Sequence, residues 1–314
     1  MNYLYFLQNL REGALSFLNP ILLCISEAGL VIAVFAGFII YWAFDKQSGK
    51  KIICGFALST AFSNFIKDIF CISRPWISDA RLHVDPIASK TATGYSFPSG
   101  HSTTAASVFG GIAFWKRAKK LIAVLFWLLV IVILFARNWL GCHTLLDVSA
   151  GFAIGTCFML LSFFLLDKIE ASFKAELIFF GAGILFCAGA IYFLLTKSYP
   201  VIFDAEGKLL VDVVAMKAEG VKNIANFAGF LTGWFLERRF VNFEIPETKG
   251  KKVLATVLGF LTAALLYKVI CPLALKSVDV IVRGFITHFV LFFWGIFGFP
   301  AVLRLFKKSS KKII

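Results

Sequence analysis

Nine long apolar segments constrain the fold of this chain more than any other feature of its sequence. They cover roughly residues 20–44, 52–70, 101–115, 119–139, 144–166, 177–196, 221–236, 253–275 and 281–305. Most approach the roughly 20 residues that an α-helix needs to cross a bilayer. Because lipid offers no hydrogen-bond partners, each segment must satisfy its own backbone as a helix. We therefore predict an all-α, polytopic transmembrane helical bundle of about nine spans.

Composition excludes the main alternatives to a membrane protein. The 314 residues are 59% hydrophobic and only 16% charged, whereas an ordinary soluble domain is about 45–50% apolar and about 25% charged. The net charge of +14 lies in short links and forms no basic stripe among aromatic residues. We therefore expect the lipid bilayer, and no nucleic acid, as a partner.

The cysteines and histidines give no sign of a metal or a cofactor. The seven cysteines contain no C-x-x-C pair, and no His/Cys/Asp cluster has metal-ligand spacing. We therefore expect neither cofactor nor metal. A disulfide between Cys71 and Cys142 is conceivable, although two free thiols are the preferred interpretation.

The charges of the links predict the orientation of the chain. The basic links are 45–51, 116–120, 237–252 and the tail from Arg304 onward, and they fall on one side of a nine-span arrangement. The link 197–220, on the other side, carries Asp204, Glu206, Asp212 and Glu219 against three lysines. The positive-inside rule then places the N-terminus outside and the tail in the cytoplasm. Residues 1–19 have the pattern of an interfacial amphipathic helix.

The outer links 71–100 and 138–143, with the ends of the adjoining spans, carry three polar clusters. They are Lys67 with Arg74, Pro98-Ser99-Gly100-His101, and Arg137 with His143 and Asp147. The second cluster precedes an apolar helical pattern, so Pro98 is predicted in the first helical turn. The N–H groups of Ser99, Gly100 and His101 would then be open to an anion such as phosphate.

The third cluster has the spacing of a positioned nucleophile. His143 and Asp147 lie four residues apart on one helical face, so Asp147 can accept a hydrogen bond from the imidazole. Three cations, Lys67, Arg74 and Arg137, are available to hold oxyanions. Together with His101, these residues predict a pocket for a phosphoryl group with two histidines directed at it.

The order K-x6-R-P, P-S-G-H and R-x5-H-x3-D resembles the signature of the type 2 phosphatidic acid phosphatase superfamily. That superfamily also includes vanadium haloperoxidases and a glucose-6-phosphatase branch, and this chain looks like its bacterial integral membrane lipid phosphatases. The resemblance covers about residues 20–166. It implies a six-helix phosphatase core over 20–170, followed by additional transmembrane spans and a basic cytoplasmic tail over 171–314. One position departs from the family pattern, since Ala136 stands where a serine is usual, and we expect a tuned rather than an inactive site.

The resemblance also implies a role for each site residue. His143 would attack phosphorus and form a phosphohistidine, oriented by Asp147, and His101 would protonate the leaving oxygen. The groups that would stabilise the phosphoryl oxygens are Lys67, Arg74, Ser99, Gly100 and Arg137. No metal ion is required in this scheme.

The function implied is hydrolysis of a lipid phosphate or diphosphate at the extracytoplasmic face of a bacterial cytoplasmic membrane. Polyprenyl diphosphate, phosphatidic acid and phosphatidylglycerol phosphate are the candidate substrates. The alternatives are a lipid phosphotransferase, a glucose-6-phosphatase-like sugar phosphatase, and a non-enzymatic transporter or scaffold. The end Lys311-Lys312-Ile313-Ile314 resembles an endoplasmic-reticulum retrieval signal, although a basic cytoplasmic tail is preferred. A homodimer is left open, and Glu27 is expected to line the cavity or pair with a neighbouring span rather than to act in catalysis.

Overall fold

The structure, a computed structural model, describes residues 2–92, 94–200, 203 and 211–310. Asp204 and Glu206 of the acidic link, and the end Lys311–Ile314, lie outside the described residues. The helices are α1 (Asn2–Glu12), α2 (Leu18–Ile39), α3 (Lys46–Phe70), α4 (Pro75–Ser78), α5 (Ala88–Thr91), α6 (Gly100–Trp115), α7 (Lys120–Trp139), α8 (Leu145–Glu170), α9 (Phe173–Thr196), α10 (Val213–Leu236), α11 (Lys249–Leu265), α12 (Cys271–Ala274), α13 (Val280–Phe293) and α14 (Phe299–Ser310). Short π-helical stretches extend α2, α10, α11 and α13. The described residues form no β-strand, so the predicted all-α class is confirmed.

Seven helical segments in the described residues are long and apolar enough to cross a membrane, by length and composition. They correspond to seven of the nine predicted apolar segments. The remaining two segments are also helices. Helix α6 has only 16 residues, and the first half of α10 carries Lys217, Glu219 and Lys222. The chain is therefore an integral membrane protein, and two of its nine predicted spans, now α6 and α10, are not among the helices long and apolar enough to cross a membrane.

Polar residues at helix starts fix where the long helices begin. Side-chain oxygens of Asp45, Ser99, Thr144, Ser172, Asp212, Thr248 and Asp279 accept backbone N–H groups of the first turn. Such caps satisfy donors that have no acceptor within the helix. Helix α3 ends at Phe70, and the next residue, Cys71, has a left-handed backbone with φ of 50°. These caps place the polar links at the two ends of the bundle.

Helix α6 lies at the centre of the N-terminal part of the bundle, packed against α2, α3, α7 and α8. It approaches α8 closely at two glycines. A Cβ atom added to Gly151 would lie 2.5 Å from the backbone oxygen of Ser99, and one added to Gly155 would meet the backbone oxygen of Thr103. The absence of a side chain at these positions lets the starts of α6 and α8 meet.

The C-terminal helices are fastened to the N-terminal part at the end of the bundle that carries the basic links. Helix α10 packs against α3, α9 and α13. At this end, the Nζ atom of Lys46 in α3 lies 2.8 Å from Oε1 of Glu237, which follows α10. The Nζ atom of Lys50, also in α3, lies 2.5 Å from Oε1 of Glu170 in α8. The indole of Trp234 also donates to Glu170 Oε1 at 2.7 Å. A buried ionic network therefore joins the two parts at this end.

Helix α1 packs on the other end of the bundle with two of its polar side chains, Gln8 and Arg11, facing the protein. Arg11 is buried and donates to the backbone oxygens of Trp139, at 2.9 Å, and His83, at 2.8 Å. Gln8 is also buried, whereas Phe6 is 62% exposed. The helix therefore holds the links that follow α4 and α7, at the end where the polar motifs lie.

Candidate active site

All three motif clusters meet at one end of the bundle. Lys67 lies in the last turn of α3, and Arg74 lies just before α4. Ser99 caps α6, and Gly100 and His101 form its first residues. Arg137 lies in the last turn of α7, His143 in the link to α8, and Asp147 in the first turn of α8. The side chains of Lys67, Arg74, Ser99, His101, Arg137, His143 and Asp147 are all buried.

Arg74 contacts the ring that the sequence marks as the nucleophile. Its Nη1 atom lies 2.8 Å from Nε2 of His143 and also donates to the backbone oxygen of Cys142 at 3.1 Å. Its Nε atom donates to the backbone oxygen of Gly94 at 3.2 Å. Because a guanidinium can only donate, Nε2 of His143 must be the acceptor. The ring proton then lies on Nδ1, and Nε2 carries no proton, since its electron pair accepts the hydrogen bond from Arg74.

Asp147 reaches His143 through Ser96 rather than directly. The Oδ2 atom of Asp147 lies 3.7 Å from Nδ1 of His143, beyond hydrogen-bond distance. The hydroxyl of Ser96 donates to Asp147 Oδ2 at 2.6 Å and lies 3.4 Å from Nδ1 of His143. The same carboxylate oxygen accepts the backbone N–H of Thr144 at 2.7 Å, as part of a capping box. Asp147 therefore caps α8 and positions Ser96 beside the imidazole.

Helix α6 begins two residues later than the sequence indicates. Ser99 is its N-cap and Gly100 its first residue, so the prediction that Pro98 occupies the first turn is wrong. The reason is that the Ser99 hydroxyl caps the N–H of Ser102. The backbone N–H of Ser99 donates to the backbone oxygen of Asp147 at 3.0 Å and is not open to an anion. The N–H groups of Gly100 and His101 are the remaining donors of the first turn.

Arg137 has one nitrogen occupied and two open. Its Nη1 atom donates to Oε1 of Glu27 at 2.8 Å and to the hydroxyl of Ser26 at 3.2 Å. Its Nε and Nη2 atoms are buried and have no hydrogen-bond partner within the described residues. Buried donors without partners are costly. An oxyanion that bound the Nε–Nη2 edge would satisfy both.

His101 lies next to the same carboxylate. Its Nε2 atom is 3.4 Å from Oε1 of Glu27, but it has no partner with hydrogen-bond geometry in the described part of the chain. The hydroxyl of Thr91 donates to Oε1 of Glu27 at 3.1 Å. A single carboxylate oxygen is therefore surrounded by Arg137, His101 and Thr91.

The charge balance of the site favours a neutral His143. Burial lowers the pKa of His143 well below its usual range, and the cations of Arg74, Arg137 and Lys67 and the neighbouring His101 act in the same direction. The imidazole is thus unprotonated at neutral pH. A neutral imidazole is the form that can donate an electron pair.

Two residues at this site have a role that sequence reasoning missed or left open. Sequence reasoning gave Ser96 no role, because nothing in the sequence shows that it meets Asp147, 51 residues away. Glu27 was expected to line the cavity or pair with a neighbouring span, and the structure shows the pairing, with Arg137 of α7. Ala136 is buried in an apolar cluster that also contains Leu22 and Trp139, away from the polar groups.

The cysteine and acidic side chains of the described residues form neither a disulfide nor a metal site. All seven cysteines are free. Within the described ranges, no group of three or more His, Cys, Asp or Glu side chains is arranged to hold a metal ion.

Comparison with known proteins agrees with this arrangement. Residues 48–170 match the model of the PAP2 superfamily, and residues 221–311 match the model described as PAP2 superfamily phosphatase, transmembrane extension. The chain is 27% identical over 170 residues to phosphatidylglycerophosphatase B of Bacillus subtilis (strain 168), an alignment that covers 52% of this chain and 72% of that protein. No solved structure matches the chain significantly. With the three motifs inside the first match, the chain belongs to the PAP2 superfamily and is an integral membrane phosphatase.

Proposed function

We propose that this protein hydrolyses a lipid phosphate or diphosphate through a phosphohistidine at His143. The observation that carries the proposal is the 2.8 Å contact between Nη1 of Arg74 and Nε2 of His143. It puts the unprotonated nitrogen of a buried, neutral imidazole beside a cation that can bind phosphate. This pairing of nucleophile and oxyanion ligand is what phosphoryl transfer requires.

The first half-reaction transfers the phosphoryl group to the enzyme. The substrate phosphate takes the place of His143 as the acceptor of Arg74, and Nε2 of His143 attacks phosphorus. As the P–N bond forms, the bond between phosphorus and the leaving oxygen breaks, and that oxygen takes a proton from His101. The Nδ1 proton stays on the ring, oriented by Ser96 and stabilised by the charge of Asp147.

The second half-reaction releases phosphate. Water attacks phosphorus and gives a proton to His101, which is now neutral. The P–N bond breaks and its electron pair returns to Nε2 of His143. The proton on His101 is thereby restored, and the enzyme returns to its starting state.

The charge of the transferring group would be balanced by protein groups alone. Lys67, Arg74 and the Nε–Nη2 edge of Arg137 supply three cations, and the N–H of Gly100 and the hydroxyl of Ser99 supply donors. Preorganised donors of this kind, aimed at developing charge, are usually the largest single contribution to catalysis. We therefore expect turnover without an added divalent metal.

The surroundings of the site favour an amphiphilic substrate. Exposed apolar side chains, Ile69, Phe70, Leu145 and Leu146, lie at the helix ends beside the motif residues. A lipid with its phosphate at headgroup depth would place its chains along such a surface. The name of the Bacillus subtilis relative, phosphatidylglycerophosphatase B, supports phosphatidylglycerol phosphate as the first substrate to test. Phosphatidic acid and polyprenyl diphosphate follow.

We further propose that the site faces the outside of a bacterial cytoplasmic membrane. The links that contain Lys46, Lys50 and Arg238 lie at the end of the bundle opposite to the site. The positive-inside rule supports a cytoplasmic position for that end and for the basic tail.

The experiment is phosphate release by the purified protein in detergent, with a panel of the three lipids and glucose 6-phosphate. We expect release from at least one lipid in the presence of EDTA, without an acceptor alcohol, and none from a His143→Ala variant. If the phosphate of the substrate is radiolabelled, an acid-labile label that stays on the wild-type protein would support the phosphohistidine. Release that is unchanged in His143→Ala, or that requires a divalent metal, would contradict the proposal.

A further inference from the structure

Glu27 is a carboxylate in the first spanning helix that neither family match includes, since the matches begin at residue 48. An ionisable side chain in a spanning segment is costly and is usually functional. The side chain of Glu27 is 25% exposed, and its Oε1 atom contacts Arg137, His101 and Thr91. Its partners include two residues of the proposed mechanism.

The distances distinguish between the two catalytic partners. The contact of Oε1 with Nη1 of Arg137 is a hydrogen bond of 2.8 Å between charged groups, and the Arg137 side chain is completely buried. The contact with Nε2 of His101 is 3.4 Å and lacks hydrogen-bond geometry. Charge-assisted hydrogen bonds near 2.8 Å are the strong ones. Glu27 therefore acts mainly on Arg137.

The hydrogen bonds of Arg137 determine which edge of its guanidinium faces a ligand. Glu27 and Ser26 together hold Nη1. Nε and Nη2 have no partner among the described residues. Because the guanidinium is planar and rigid, fixing Nη1 also fixes the direction of the Nε–Nη2 edge, which has the geometry for a bidentate oxyanion contact.

From this geometry we propose that Glu27 is a positioning residue that aims the Nε–Nη2 edge of Arg137 at the substrate phosphate. Thr91, from the short helix α5, holds the carboxylate in turn at 3.1 Å. The proposal rests on the proposed phosphatase function. It adds a residue of the first span to the oxyanion site and explains why a carboxylate lies where an anion must bind.

The test measures binding of orthovanadate, an analogue of the phosphoryl-transfer transition state, in the full-length protein in detergent. We expect Glu27→Ala to weaken vanadate binding by about tenfold, the equivalent of one charge-assisted hydrogen bond. Glu27→Gln keeps an acceptor for Nη1 of Arg137, so its loss of vanadate affinity should be clearly smaller. The same weakening is expected when Glu27→Ala is combined with His101→Ala, because the effect passes through Arg137.

A matched control separates positioning from loss of fold. Glu176 is paired with arginines as Glu27 is, namely with Arg238 and Arg239, and it is buried at the other end of the bundle. Glu176→Gln should lower the melting temperature without changing vanadate binding. Glu27→Gln serves as the second variant if Glu27→Ala proves too unstable to purify.

Three results would overturn the proposal. They are unchanged vanadate binding in both Glu27 variants, an effect that disappears in the His101→Ala background, and an equal loss in Glu176→Gln. Failure of the proposed function is recognised separately, because the wild-type protein would then release no phosphate in a His143-dependent manner. A wild type that hydrolyses lipid phosphate while the Glu27 variants bind vanadate normally would refute only the role of Glu27.

Discussion

The Nη1 atom of Arg74 lies 2.8 Å from the Nε2 atom of His143, so an arginine of the first motif binds the very nitrogen that is expected to attack phosphorus. This contact fixes the imidazole tautomer, and the positive charge disfavours protonation of the ring. In the proposed mechanism, a phosphate bound to Arg74 would face Nε2. The three motifs thus form one site whose parts hold each other in place.

The first prediction concerns the pH dependence of turnover. Burial and the cations around it hold the pKa of His143 well below its usual range. Because the neutral ring attacks, activity should persist below the pH at which an ordinary histidine becomes protonated, and the acid limb should lie at low pH. Arg74→Gln removes one of the cations, so the pKa of His143 should rise and the acid limb should move to higher pH. The measurement is kcat/KM against pH, which reports groups of the free enzyme.

Arg74→Gln should also lower kcat/KM by about 10²–10³, the usual cost of removing a donor that stabilises a phosphoryl or oxyanion transition state. The control is Arg117→Gln, because the Arg117 side chain donates within its own turn, to the backbone oxygen of Phe114, at the other end of the bundle. The dependence of kcat/KM on pH should be the same in Arg117→Gln as in the wild-type protein. An acid limb that stays in place in Arg74→Gln would show that Arg74 does not set the charge of His143.

The second prediction concerns Ser96, which lies between Asp147 and His143. Ser96→Ala leaves the carboxylate 3.7 Å from the ring without a bridge. We expect kcat to fall by roughly tenfold, the worth of one hydrogen bond of about 1.4 kcal/mol, with KM nearly unchanged. Ser89→Ala, which removes an exposed hydroxyl bonded to the backbone oxygen of Pro86, is the matched control. Equal kcat values for both variants would remove Ser96 from the mechanism.

Much of this site could be predicted from the sequence, because its parts are encoded locally. The order and spacing of the three motifs can be read from a single sequence, although helical periodicity does not explain them, because Arg74 lies just before α4 and His143 in the link before α8. The apolar segments likewise predict the spanning helices, since length and hydropathy decide them. The structure places all these motif residues together at one end of the bundle.

Other features depend on packing and have no local signal. Ser96 reaches Asp147 only because the starts of α6 and α8 meet at Gly151, and no spacing rule relates residues 51 positions apart. Glu27 meets Arg137 because α2 packs against α7. The start of α6 was misplaced because Pro98 and Ser99 are both good helix-start residues, and only the structure shows which one caps.

The third prediction tests this close approach of α6 and α8. A Cβ atom at residue 151 would lie 2.5 Å from the backbone oxygen of Ser99, and backbone cannot move aside as a side chain can. Gly151→Ala should therefore separate Ser99 from Asp147 and lower both the melting temperature and kcat. Overpacking of this kind typically lowers the free energy of unfolding by about 1–3 kcal/mol. In Gly189→Ala the new methyl group meets nothing within 4 Å, so that variant should be at least as stable as the wild type and equally active.

The last prediction concerns two adjacent lysines at the opposite end of the bundle. Lys50 is buried and lies 2.5 Å from Oε1 of Glu170, whereas Lys51 pairs with Asp167, whose side chain is 58% exposed. Removing one partner of a buried pair costs about 3–5 kcal/mol of stability when the other charge is left uncompensated, while an exposed pair contributes about 0–1 kcal/mol. The cost at Lys50 should lie below that range, because Arg238 still lies 3.0 Å from Glu170 Oε2. Lys50→Ala should therefore lower the free energy of unfolding far more than Lys51→Ala. Because Glu170 also accepts from Trp234 of α10, the loss should loosen the C-terminal helices first, detected as faster proteolysis of the links that flank α10. Equal melting temperatures for the two variants would show that this network does not hold the two parts together.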